Sequence, residues 1–103
     1  MMSILIKKNQ REAVANVEFL NAARDFAESA ALTETDGPFG KSVMVSFPEE
    51  TMLGNLAVKR TRYGCDVKGE LNGLTHCLEC DLNTDRNGNI SIVPTAWTAS
   101  PRA

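Results

Sequence analysis

Residues 65 to 82 read CDVKGELNGLTHCLECDL, and this stretch decides the fold. Asn72-Gly73 stands near its middle. Asn-Gly is the strongest short signal for a two-residue hairpin turn, because both central residues must adopt φ > 0. On one side Cys65 and Val67 alternate with Asp66 and Lys68; on the other Leu74, His76, Leu78, Cys80 and Leu82 share one face. A period of two on both sides of such a turn means paired strands with one buried face.

A second turn at Asp85-Arg86-Asn87-Gly88 leads into Asn89-Ile90-Ser91-Ile92-Val93, and Pro94 marks the expected end of regular pairing. The tail from Thr95 to Ala103 is expected to be loose, with Trp97 anchoring its first part. Upstream, Leu56 to Arg62 alternates and continues through Tyr63, with Gly64 at a change of parity that suggests a bulge. Ser42 to Phe47 reads as a further strand stopped by Pro48, and Glu49 to Asn55 as a connection.

The N-terminal part has a different period. Asn9-Gln10-Arg11-Glu12 has the capping-box pattern, and the stretch from there to Ala31 is rich in Ala and free of Gly and Pro. Ala13, Val17, Phe19, Leu20, Ala23, Phe26, Ala27 and Ala30 fall on one broad side at about 100° per residue. Glu18, Asn21, Asp25, Glu28 and Ser29 gather opposite. Asp36-Gly37-Pro38 ends this helix, and Ser3 to Lys8 is a short possible first strand.

The reading is an α+β domain spanning 1–103: one long N-terminal amphipathic helix packed on a four- to five-stranded antiparallel meander sheet, in the order β-α-β-β-β-β. This order is similar to that of cystatin-like domains, by element order only; the chain carries none of the sequence motifs of that family. A chain of 103 residues is one domain, large enough to bury a core without metal or disulfides.

Eleven basic against thirteen acidic residues give a formal charge of −2, which excludes histone-like basic binders and long acidic tails. The apolar run Ser3 to Ile6 precedes Lys7 and Lys8, the reverse of a secretory signal, and no stretch approaches the ~20 apolar residues of a membrane span. The expected location is cytoplasmic, with the three cysteines reduced.

Four patterns bear on chemistry. Cys65, His76, Cys77 and Cys80 offer zinc-type ligands, but in a strand Cys77 and Cys80 point to opposite faces, so packing is the favoured reading. Asn83 to Ile90 matches the first eight positions of an EF-hand calcium loop, yet Pro94 stands at the twelfth, where a bidentate Glu belongs. Lys59, Arg60, Arg62 and Tyr63 form the one concentrated basic patch, in which arginines suit phosphates and the tyrosine suits a base. Glu34, Asp36, Glu49 and Glu50 against Lys41 make residues 32 to 54 acidic, net −3, a complement to a basic partner.

No phosphate loop, dinucleotide fingerprint or H-E-x-x-H motif occurs, and His76 is the single histidine. These features lead to a small non-catalytic binding or regulatory protein acting through protein–protein contacts, without cofactor, of the size of phage or operon accessory and inhibitor proteins. The alternative is a nucleic-acid-binding module using the basic strand 59–63. The basic and acidic segments together also raise a homodimer through a sheet edge or the outer sheet face.

Overall fold

The structure, a computed structural model, describes residues 4–6 and 17–101. Nine elements follow one another: β1 (Ile4–Ile6), α1 (Val17–Glu28), β2 (Ala31–Gly37), β3 (Gly40–Ser46), β4 (Glu50–Leu53), β5 (Leu56–Arg60), β6 (Gly64–Leu71), β7 (Leu74–Thr84) and β8 (Ile90–Pro101). The expected α+β architecture is present. Strands β4 to β8 form an antiparallel meander, and α1 covers one of its faces. The expected first strand takes the far edge of this six-stranded sheet and runs parallel to β8, Ile4 opposite Ile90.

The helix buries Phe19, Leu20, Ala23, Phe26 and Ala27, as its 3.6-residue period predicts, and Ala22 with them, whereas Val17 at its start, expected on this side, is exposed. Its alanines let it lie close to the strands, while Phe19 and Phe26, about two turns apart and each two residues from a helix end, reach down to the sheet. Gly69 on β6 makes room for this approach. A Cβ there would fall 3.1 Å from Cζ of Phe19 and onto Cδ2 of Leu56. Val58, Val67, Leu78, Ile90 and Ile92 complete the core beneath. The other sheet face carries Lys59, Asp66, Lys68, Glu79 and Asp81 together with the apolar Met52, Ala57, Cys77 and Val93, a mixed surface that a half-solvated antiparallel sheet permits.

Several expectations need correction. The helix ends at Glu28, where Ser29 Oγ donates to the Phe26 carbonyl at 2.6 Å, and does not run to Ala31. Its expected capping box at Asn9 to Glu12, and Ala13 with it, lie outside the described residues. Residues 31–37 are a strand, not the end of a helix and a break. Leu32-Thr33-Glu34-Thr35 pairs with Ser42 to Val45 around a tight turn at Pro38-Phe39, closed by Gly40 at φ 108°. β2 and β3 form a separate two-stranded sheet. Glu49 to Asn55, expected as a connection, contains β4, joined to β5 by a turn in which Gly54 has φ 65°.

Gly64 is not a bulge within one strand. It closes a hairpin turn from Thr61, whose N–H donates to the Gly64 carbonyl at 2.9 Å and whose Oγ1 accepts from Gly64 N–H at 3.1 Å. The parity change seen in the sequence is this turn. The irregularity in the ladder lies elsewhere, between Glu79 and Cys80 of β7, which are opposed by Ala96 and Pro94 of β8, and Thr95 is the extra residue. That bulge explains why the tail is not loose up to Pro101. Pro94 sits beside the bulge, beyond the three residues of β8 that β1 pairs, so its lack of an N–H breaks no continuous ladder there. Past it the strand resumes from Ala96 opposite Glu79 to Pro101 opposite Leu74. Trp97 does anchor this part, its ring meeting Phe19 edge-on at 5.0 Å.

Gly64 also lies against β7 so closely that a Cβ would meet the Cys80 carbonyl oxygen and stand 2.7 Å from Leu82 N. Backbone cannot give way as a side-chain end can. Gly64→Ala is therefore expected to lower unfolding stability by about 3 kcal/mol, read as a fall in the denaturant midpoint with little change in slope. An unchanged midpoint would show that the two strands are not held at this spacing.

Candidate interaction surfaces

The four cysteine and histidine candidates do not assemble into one site. Cys65 and Cys80 face each other across β6 and β7 on the buried side, both as free thiols. Contact with the Cys65 thiol, then burial, pushes the Cys80 thiol well above its ordinary range. Cys77 lies on the opposite sheet face, paired with Lys68, and partial burial raises it too. Protonated thiols are poor nucleophiles and poor metal ligands. His76 stacks on Trp97 at 5.0 Å and meets Phe19 edge-on at 6.4 Å, its Nδ1 3.3 Å from the Leu74 carbonyl. Among the described residues no group of three or more His, Cys, Asp or Glu is placed to hold a metal ion.

The calcium-like segment is a turn organised around its own carboxylate. Asp85 Oδ1 accepts the N–H groups of Asn87 at 2.9 Å and Asn89 at 3.0 Å, and Oδ2 accepts Asn89 Nδ2 at 2.9 Å. Gly88, at φ 85°, closes it. The side-chain amide of Asn89 is the main cause holding the Asp85 carboxyl below its ordinary value near 3.8.

The basic patch is split by the Thr61–Gly64 turn. Arg60 ends β5 while Arg62 and Tyr63 are turn residues, so the expected alternation of Arg60 and Arg62 on one strand face does not hold. Arg60 Nη1 donates to the Phe47 carbonyl at 2.9 Å. Arg62 lies over the ring of Tyr63, 5.7 Å from its centroid, and Tyr63 is 70% exposed. A shallow cavity of about 190 Å³ between Phe47, Arg60, Tyr63 and Leu82 adjoins them. The acidic candidates divide in two. Glu50 sits directly across from Lys59, and the Glu49 carbonyl accepts Arg60 N–H at 2.8 Å, so this pair borders the basic patch of its own chain. Glu34 and Asp36 lie far along the sequence on β2, Asp36 opposite Lys41.

That β2–β3 hairpin is the feature the sequence reading missed. It forms an arm beside the main sheet, bearing Leu32, Met44 and, at its tip, Phe39, which is 90% exposed. One face of the arm meets the β7–β8 turn. Val43 N–H donates to the Arg86 carbonyl at 2.7 Å, and Arg86 Nη2 donates to the carbonyls of Phe39 and Lys41, each at 3.3 Å. Gly88 is part of the same contact, since a Cβ there would stand 2.9 Å from Val43 Cγ1. The other face presents Thr33, Thr35, Ser42 and Met44, with Thr35 Oγ1 and Ser42 Oγ 2.8 Å apart. The available signal was Gly37-Pro38-Phe39-Gly40 between two alternating runs.

A second cavity, about 530 Å³, opens at the opposite end of the molecule between the first turns of α1, the β4–β5 turn and the end of β6. Leu53, Leu56 and Leu71 contribute its apolar lining, and Glu18, Asp25 and Glu70 its acidic part. No helix among the described residues is long and apolar enough to cross a membrane. No protein-family model, curated protein or solved structure matches the chain.

Because Asp85 is held ionised by acceptor bonds, its support of the turn is fully present above the unfolded aspartate value and fades as pH falls through the lower folded value. The protection of the Val43 amide, whose N–H is tied to this turn, relative to its intrinsic exchange rate should fall below about pH 4 in the native protein. In Asp85→Asn the same amide should exchange faster throughout and lose that acid step. An acid step of equal size in the variant would assign it to another carboxylate.

Proposed function

We propose that this chain is a small non-catalytic binding protein, with a regulatory or inhibitory role in the cytoplasm, that acts on a protein partner through the β2–β3 arm. One observation carries the reading: Phe39 is held out in solvent on a tip whose backbone is fixed by Arg86. An aromatic side chain contributes nothing to a core from that position, whereas aromatics dominate the energetics of protein interfaces. A tip already ordered in the free protein loses less entropy on binding. Leu32 on one face of the arm and Met44 on the other add exposed apolar side chains, and Glu34, Asp36 and Lys41 add charge on the Leu32 face.

The test is capture of partners from the native host with wild-type protein and with Phe39→Ala. Removal of an exposed side chain should leave stability within about 0.5 kcal/mol. Binding should weaken by at least tenfold, on the order of an interface anchor. Equal recovery of the same partner by both proteins would remove the arm from the binding surface.

A second reading is favoured by the Arg62–Tyr63 stack, an exposed aromatic with a cation beside it: single-stranded nucleic acid lying across the Thr61–Gly64 turn. Binding by Arg62, Lys59 and Arg60 should weaken with salt, with a logarithmic slope of about −2 for three phosphates on a single strand. Arg62→Ala with Tyr63→Ala should abolish it. No mobility shift of DNA or RNA at low salt would end this reading.

A further inference from the structure

We propose that two copies of this chain form a two-fold dimer in which each Phe39 tip enters the other copy's α1–β4–β5 cavity. The inference rests on the reading of the arm as a contact surface and names a partner for it. Three features support a second copy as the occupant.

The first is fit. The cavity, about 530 Å³, has an apolar floor from Leu53, Leu56 and Leu71 and lies within the size range of ligand-binding clefts, ample for a phenyl ring. Phe39 is the most exposed large apolar side chain among the described residues.

The second is charge. Beside the tip stand Lys41, with Asp36 opposite it, and Arg86, which donates to the Phe39 and Lys41 carbonyls while its neighbour Asp85 turns its carboxylate onto N–H groups of its own turn. The cavity is bordered by Glu18, Asp25 and Glu70. A cation-flanked ring facing an acid-rimmed apolar cleft is complementary in both respects.

The third is placement. The arm leans on the turn that follows Thr84, at one end of β7, while the cavity includes Leu71, paired with Leu74 at the other end. Eleven residues of β7 separate the two ends by about 33 Å. The arm therefore cannot reach its own cavity. The molecule is elongated, 52 × 26 × 21 Å. A two-fold axis perpendicular to the long dimension sets two copies side by side and head to tail, which carries each tip toward the other's cavity end. Both contacts are then made twice, as closed two-fold symmetry demands.

Sedimentation equilibrium from micromolar to millimolar chain concentration tests this, using wild type, Phe39→Ala and Asp25→Lys. Asp25 is exposed on the helix, so its replacement should not disturb the core. Expected is a wild-type mass rising to twice 11.2 kDa, with both variants shifted at least tenfold toward monomer. Asp25→Lys combined with Lys41→Glu should recover part of that loss. A wild-type mass constant at 11.2 kDa overturns the dimer, as does a dimer that either single variant leaves intact. Failure here is separable from failure of the arm reading. Monomeric protein that still captures a different partner in a Phe39-dependent way refutes only the second copy; capture independent of Phe39 refutes the arm itself.

Discussion

The seating of α1 on the sheet by two buried phenylalanines fixes everything else in this molecule. Phe19 presses on Gly69 and meets Trp97 edge-on, while Phe26, two turns later, stacks with Phe47 at 5.8 Å and an interplanar angle of 10°. Truncation of one buried phenylalanine costs about 3–5 kcal/mol in proteins whose whole stability is about 5–15. These contacts therefore set the helix position far more firmly than the propensity of a twelve-residue segment could. They also bracket the arm. The chain leaves α1 just after Phe26, forms β2 and β3, and returns at Phe47, so the stacked pair clamps the base of the hairpin.

From that clamp the position of the tip follows through one further contact. A two-stranded hairpin is at best marginally stable alone in water. Here its base is pinned by aromatic stacking, and its side is pinned by the Val43–Arg86 backbone bond and the Arg86 guanidinium. The Asp85-centred turn is thus the brace for the arm. It shares Asn, Asp and Gly with calcium loops because both need carboxylate acceptors and residues at φ > 0, but its carboxylate is turned inward on N–H donors.

The parts of the fold legible in the sequence were those in which local pattern and tertiary packing agree. Asn72-Gly73 marks its hairpin because only a few residue pairs accept that backbone, and here Asn72 has φ 53°. The helix face was legible from Phe19 to Ala27 because burial follows the period. Two failures have physical causes. Residues 31–37 follow directly on an Ala-rich helix with no Gly or Pro until Gly37, and cross-strand pairing with Ser42 to Val45 makes them a strand. Pro94 argues against a strand unless a bulge and an uncovered edge coincide there, and neither is visible in one sequence. Cys65, His76, Cys77 and Cys80 resemble a ligand set by spacing alone. Register divides them, placing Cys65 opposite Cys80 and Cys77 on the far face.

Register also changes how the charged patches stand in the structure. In the sequence, Lys59 and Arg60 stand nine and ten residues from Glu50, as separate basic and acidic stretches. In the sheet they are neighbours. Lys59 lies across from Glu50, and Arg60 is bound through its backbone to Glu49 and through its guanidinium to the Phe47 carbonyl. A charge already faced by its opposite offers a distant partner a weakened field, and exposed pairs of this kind are worth about 0–1 kcal/mol. Phe39 has no such compensation within its own chain, being at the tip of an arm braced away from the core. The most exposed large apolar side chain among the described residues is thus localised at one braced tip, with Asp36, Lys41 and Arg86 around it.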